Sequence, residues 1–363
     1  MPALLHDVEI SLEISGRDVS ESLAPFVKRI ELSTNAESEA DSFSCELYDP
    51  DGRFLEEWLP PISAKVKFSC RYTNGDRLEL PSQSFEIDAP EGRITAKQGS
   101  TLSLKGKSVP VSKPLGTKGT KEYEDTDLAQ IATEVATEAG MTIRGEVPER
   151  KLKRVTRKDE TPLAFLRRLS GKYGLILKVQ NADQIVFWDL EKLDAQPPAF
   201  TSDVGEFETV EWRRNSREKY KKAVCTYTDP LSGETYTGEA TAGDVGEGTP
   251  SGSGQEDAPI PEESTKAEDV LQIQERCTSN EEAEAIARAK LRRANADELE
   301  ITLGGMGDPR YQPGVMFGLT GLGTLSGNFL VQESRHNLGD KSGWKFTARA
   351  ERRGASLDDG EFS

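Results

Sequence analysis

Between residues 8 and 15 the sequence reads VEISLEIS, and every second position is apolar: Val8, Ile10, Leu12 and Ile14. A period of two puts all four side chains on one side of an extended chain and gives no helical stripe, so the stretch predicts a half-buried strand. The alternation returns in SFSCELYD through Phe43, Cys45 and Leu47, before the turn-forming Asp49-Pro50-Asp51-Gly52. It returns again in AKVKFSCRY through Val66, Phe68, Cys70 and Tyr72, and SFEI and TLSLKG add further short strands. Short strands separated by turns at this spacing predict a small β-barrel or sandwich over residues 1–110.

The period then changes. Asp125 or Thr126 is positioned to cap a helix with Leu128, Ile131, Ala132, Val135 and Ala139 on one face, ended by Gly140. The segment TPLAFLRRLSGKYGLILKV, residues 161–179, follows. Thr161 can cap, and Pro162 suits the first helical position because its missing N–H would have no partner there. Leu163, Leu166 and Leu169 make an apolar stripe widened by Phe165 and Tyr173, and Gly174 supplies the left-handed stop. Leu175 to Val179, the turn Asn181-Ala182-Asp183, and Ile185 to Trp188 predict a hairpin. Arg167, Arg168 and Lys172 read most simply as the solvated face of the helix. Residues 111–200 are therefore expected to form a small α/β unit, with this segment as a joint.

A second β-rich region is expected over 201–353, with strands in TVEWRR, KAVCTYTD, LEITLGG, VMFGLTG, NFLVQESRH and WKFTARAER, then a tail at 354–363. Residues 243–265 interrupt it with Gly, Pro, Ser and acids. They bury too little to offset the entropy of ordering, and a flexible insertion is expected. Ser279 and Glu282 predict a capping box opening a helix over 279–296, whose Ala283, Ile286, Ala287, Leu291 and Ala294 form a narrow face suited to close packing. The expected fold is mainly β with α+β character: two small β-barrel domains separated by the α/β unit. No repeat of solenoid period is present.

Chemistry is hard to find in this chain. A net charge of −17 over 363 residues argues against specific nucleic-acid binding, which needs clustered cations. No apolar run approaches the roughly 20 residues of a membrane helix, so no membrane anchor is expected. The start, MPALLHDVEI, lacks a basic stretch leading into an apolar one, and synthesis in a cytoplasm is expected. Cys45, Cys70, Cys225 and Cys277 are scattered without a C-x-x-C pair, which favours reduced thiols. The glycines of GLTGLGTLSG, at 321, 323 and 327, miss the dinucleotide spacing and precede a strand, so they predict a turn. His6 and His336 are the only histidines, and neither has a second ligand at metal spacing. With 63 acidic residues, chance carboxylate pairs are inevitable and none stands out. No catalytic residue, cofactor or metal is expected.

Read in order, the chain resembles the bacteriophage late control protein D family, the baseplate hubs of contractile tails. The resemblance rests on GRDVSESLAPFVKRIELSTNAESEADSFSCELYDPDGRF, on DETPLAFLRRLSGKYGLILKV with its hairpin, and on EAEAIARAKLRRANADELEITLGGMGDPRYQPGVMFGLTG followed by FLVQESRHNL and GWKFTARAERR. It covers residues from about 8 to 353. It implies two β-barrels and a small α/β unit per subunit, and a homotrimer around a channel that adapts a hexameric tail tube to a trimeric central spike. The same module opens the spike proteins of type VI secretion. The resemblance implies as partners the spike, a tail tube or tube-initiator protein, other baseplate proteins and the tape measure protein. With neither a fused spike nor a lysozyme domain in this chain, the spike is expected to be a separate polypeptide. The implied location is the tail baseplate of a virion or tail-like particle, assembled in the host bacterial cytoplasm. Which residues form the interfaces is left open. Two other readings remain: a peptidoglycan hydrolase using a carboxylate pair, and a monomeric β-rich binding module.

Overall fold

The computed structural model describes residues 3–5, 7–36, 40–50, 52, 59–73, 78–95, 99–109, 117–181, 183–214, 220–230, 232–245, 270–295, 299–339 and 342–356. His6 and residues 246–265 of the expected insertion lie outside the described residues, as does the C-terminal tail from 357. The last strand, Gly343–Ser356, runs into the stretch expected as tail.

Among the described residues the chain is mainly β. The alternating stretches of the sequence do become strands, including Val8–Ile14, Ser42–Tyr48 and Lys65–Tyr72. Their apolar positions share one core, in which Phe43 lies 5.7 Å from Phe68 and 5.6 Å from Phe85 between ring centroids. A second core in the C-terminal region is built on aromatic rings, with Tyr311 stacked on Phe346 at 5.0 Å and edge-on to Phe317 at 5.1 Å.

The expected barrels are not closed among the described residues. Among the described residues, strands of both β-rich regions join one 14-stranded sheet, while Lys222–Thr228, Thr235–Thr241 and Val270–Ile273 form a separate three-stranded sheet. The main path of the large sheet runs from Ala3–Leu5 through Val8–Ile14, Lys65–Tyr72, Glu79–Thr95, Gly99–Lys107, Ser42–Tyr48 and Val27–Asn35. It then crosses into Gly327–Gly339, Gly343–Ser356, Leu299–Met306 and Thr209–Arg214. The physical reason lies in the strand Val27–Asn35. One edge pairs with Ser42–Tyr48, and the other is taken antiparallel by Gly327–Gly339, with Leu338 opposite Ile30 and His336 opposite Leu32. The edge that would close the first barrel onto Val8–Ile14 is therefore occupied. Leu338 and Trp344 from the far end of the chain fill the N-terminal core, and Trp344 stacks on Tyr72 at 4.9 Å.

Between these regions sits the largest core. The helix Leu128–Glu138 buries Leu128, Ile131, Ala132 and Val135 as the spacing predicts, but its cap is Asp127. Asp127 takes the Gln130 N–H at 2.7 Å. Asp125, one of the two expected caps, instead adopts a positive φ of 44°. The hairpin forms from Leu175–Gln180 and Gln184–Asp189, and Thr142–Arg144 adds a parallel third strand. A long antiparallel pair, Gly119–Asp127 with Lys151–Glu160, left little trace in the sequence because Tyr123 and Leu152 are its main buried residues. The helix Asn280–Asn295, expected inside the second barrel, packs into this central core with Ala283, Ile286, Ala287 and Leu291. It lies across Lys222–Thr228 and Thr235–Thr241, a strand pair joined in parallel by Val270–Ile273.

Gly238 sets how closely that helix approaches. A Cβ built there would sit 2.0 Å from the Glu284 amide nitrogen and 2.3 Å from the Ala283 carbonyl carbon. These are backbone atoms that no rotamer change can move aside. Gly238→Ala is expected to lower stability by about 1–3 kcal/mol through overpacking. Thermal unfolding checks this, and a variant as stable as the parent would refute the close-approach account.

Candidate functional site

Residues 161–189 contact the N-terminal part of the sheet, its C-terminal part and the helix Asn280–Asn295. The helix Pro162–Lys172 starts as its sequence predicts: Thr161 Oγ1 accepts the Ala164 N–H at 3.2 Å, and Pro162 occupies the first position. Gly174 closes it with φ 75°, in the left-handed region where a side chain is strained. A Cβ there would also come within 3.2 Å of the Ala289 Cβ, so the stop doubles as a contact with the helix Asn280–Asn295.

Lys172 is not solvated as expected. It donates to Glu282 on the helix Asn280–Asn295 at 2.8 Å and to the Arg276 carbonyl just before that helix at 2.7 Å. Glu282 also accepts from the Tyr173 hydroxyl at 2.8 Å and from the Thr278 N–H and Oγ1, both at 2.8 Å. The expected capping box is thus half present. Ser279 Oγ accepts the Glu282 N–H at 3.1 Å, while the Glu282 carboxylate turns to Thr278 and the neighbouring helix. Burial opposes ionisation of Glu282, yet the bonds and charge of Lys172, with Tyr173 and Thr278, hold its carboxyl below the usual range.

The hairpin carries a second contact. Lys178 and Asp41 form an ion pair of 3.0 Å with side chains only 5% and 2% exposed. Asp41 Oδ1 takes the Asn35 N–H at 2.9 Å, Ser108 Oγ donates to the Val179 carbonyl at 3.1 Å, and Asn181 Oδ1 accepts the Ser84 N–H at 3.1 Å. These bonds tie the hairpin to the N-terminal part of the sheet. On the C-terminal side, Ile176 and Leu190 share a small cluster with Met316 and Leu330, and Trp188 packs against it. The segment is a joint in residue-level detail. Lys178 was missed in the sequence, although a lysine inside the apolar run LILKV, in a strand buried on both faces, signals a buried counter-ion.

Arg168 binds Glu160 at 3.0 Å and lies over the Phe165 ring. Arg167 is half-buried, and its Nε has no hydrogen-bond partner among the described residues. Together with Lys172 these arginines line a groove of about 660 Å³ between the strand Lys151–Glu160 and the two helices.

His336 is not placed as a catalytic base. His336 is fully buried in the seam. Its Nδ1 accepts from Trp344 Nε1 at 3.1 Å, and its Nε2 lies 3.2 Å from Ser334 Oγ and from Gln312 Nε2. Trp344 can only donate, so the neutral ring carries its proton on Nε2. Burial lowers its pKa to about 4, against a small opposing pull from Asp308. The four cysteines are free and buried, and burial, with Glu46 nearby, pushes the Cys45 thiol up to about 12. Gly321 and Gly323, at φ 83° and 59°, form the expected turn between Met316–Thr320 and Gly327–Gly339. Among the described residues no three His, Cys, Asp or Glu side chains group to hold a metal, and no helix is long and apolar enough to cross a membrane.

Comparisons with known proteins agree with this architecture. The profile of the phage tail baseplate hub (GPD) family matches residues 113–342. A tail protein from Neisseria meningitidis MC58 is similar in fold, with a TM-score of 0.67 at 12% identity, over 98% of this chain and 99% of that one. The 43 kDa tail protein of prophage MuSo2 from Shewanella oneidensis gives 0.65 at 16% identity, over 95% and 98%. A type VI secretion system component from E. coli, itself structurally similar to bacteriophage T4 tail proteins gp27 and gp5, gives 0.52 at 11% identity, over 98% and 80%. No curated protein matches.

Proposed function

The chain belongs to the phage tail baseplate hub (GPD) family, and on that premise we propose that it acts as a trimeric adaptor joining a hexameric tail tube to a trimeric central spike. The family match over residues 113–342 carries the reading. The fold supports it: one sheet takes strands from both β-rich regions, and the joint at 161–189 is bonded both to that sheet and to the helix Asn280–Asn295. A closed ring with one kind of contact needs two different surfaces on each subunit. In this reading the partners are the spike, the tube or tube initiator, other baseplate proteins and the tape measure protein. The location is the baseplate of a virion or tail-like particle, put together in the host cytoplasm. The role is structural, without catalysis.

Each subunit brings a net charge of −17, so mutual repulsion weakens a free ring at low salt. A weak trimer or a monomer is expected in dilute solution, and a firm trimer once the spike is added. Mass photometry of the chain mixed with its spike protein should show a three-to-three complex. A stable dimer or hexamer indifferent to the spike would overturn the adaptor, and lysis of purified peptidoglycan by the chain alone would favour the hydrolase reading.

A further inference from the structure

The groove between the strand Lys151–Glu160, the helix Pro162–Lys172 and the helix Asn280–Asn295 runs against the charge of the whole chain. Among the described residues eight cationic side chains line it against two carboxylates, Glu275 and Glu282, on a protein of net charge −17. Four of the cations have acidic partners: Arg154 with Glu122 and Glu124, Arg168 with Glu160, Lys172 with Glu282, and Lys290 with Glu275. Arg293 is also engaged. Among the described residues no carboxylate pairs with Lys153, Arg167 or Arg276. Chance scatter would place unpaired cations singly over the surface, where water solvates them. Here three share one concave site, and one of them is half-buried.

Arg167 is the sharpest of the three. Its Nε is buried and makes no hydrogen bond among the described residues, and burial works against its charge. A guanidinium keeps its charge even so, and a desolvated charge without a counter-ion is costly. A carboxylate entering the groove would supply the missing partner and gain charge-assisted hydrogen bonds.

We propose that this groove is a docking site for an acidic polypeptide segment of a partner protein, with Arg167 at its floor and Lys153 and Arg276 on its rim. A nucleic-acid strand fits less well. Glu275 and Glu282 sit in the walls, Glu122, Glu124 and Glu160 stand behind the paired arginines, and Tyr173, the aromatic lining residue, is buried and bonded to Glu282. A phosphate backbone would meet these carboxylates and find no exposed ring for base stacking. The proposal stands on the groove's charge and is independent of the oligomeric state in the adaptor reading.

Fluorescence anisotropy of the full chain with a labelled octaglutamate peptide tests it, beside a Gly-Ser peptide of equal length and a twelve-nucleotide thymidine strand. Binding of octaglutamate is expected, weakening with added salt, and absent for the neutral peptide. The double variant Lys153→Glu and Arg276→Glu changes only exposed side chains and should weaken binding by about ten-fold or more. Arg167→Ala should weaken it comparably, while Arg213→Ala, on the edge strand outside the groove, should leave it unchanged. Octaglutamate binding that ignores the rim double variant would overturn the proposal. So would tighter binding of the oligonucleotide, or no binding of octaglutamate at all.

Discussion

Lys178→Ala is expected to cost about 3–5 kcal/mol of stability at neutral pH, the loss typical when one partner of a buried ion pair is removed. The Lys178 ammonium is 3.0 Å from Asp41, and both side chains are almost wholly buried. Removing the lysine strands a carboxylate at the meeting point of Val27–Asn35, Ser42–Tyr48 and the hairpin. Burial already pushes the Asp41 carboxyl up, against the opposing charge of Lys178 and the Asn35 N–H. Without Lys178 it will take up a proton more readily, so the loss should shrink as the pH is lowered from 7 to 5. The double variant Lys178→Met with Asp41→Asn should recover most of the stability, because it removes both charges while keeping an acceptor for the Asn35 N–H. Urea unfolding of the parent and the two variants checks this. A single variant within about 1 kcal/mol of the parent would show that the pair does not brace the joint.

His336 should make the protein acid-sensitive above the range where carboxylates protonate. Its pKa is about 4 in the folded chain and near 6.5 when unfolded. Between these values the unfolded state binds a proton that the folded state does not, so stability falls as pH falls through that window. The contribution is fully present above about pH 6.5 and lost below about 4, and amounts to about 3 kcal/mol. Protonation at Nδ1 would also cancel the bond from Trp344, at the seam where the two β-rich regions join. Stability measured from pH 7 to 4 should fall less steeply for His336→Asn than for the parent, whatever the variant's absolute stability. Parallel curves would refute a histidine that stays neutral in the seam.

Parts of this molecule can be read from single stretches of chain. The alternation through Val8–Ile14, Ser42–Tyr48 and Lys65–Tyr72 fixes both the strands and the face each one buries, because a slip by one residue would turn every apolar side chain to water. Thr161, Pro162 and Gly174 set the start and stop of their helix by local backbone chemistry, and the structure keeps them. The resemblance to the hub family also lay in the sequence, as three patterned stretches in a fixed order. The strand Gly119–Asp127 was not legible, because its pairing with Lys151–Glu160 leaves most side chains in water and so leaves no period.

The amino-acid order by itself determined the type and inward face of the patterned elements, since capping and alternation act over a few residues. Which edges meet was decided only in three dimensions. Nothing near Leu32 marks its strand as the one that pairs with His336, because backbone N–H and C=O groups are the same in every strand and carry no address. That pairing joins strands of the two β-rich regions in one sheet. The site followed the same logic: Arg167, Arg168 and Lys172 looked alike on a helix drawn alone. Glu160 and Glu282 engage two of them, the buried Nε of the third has no hydrogen-bond partner among the described residues, and only tertiary packing could distribute those environments.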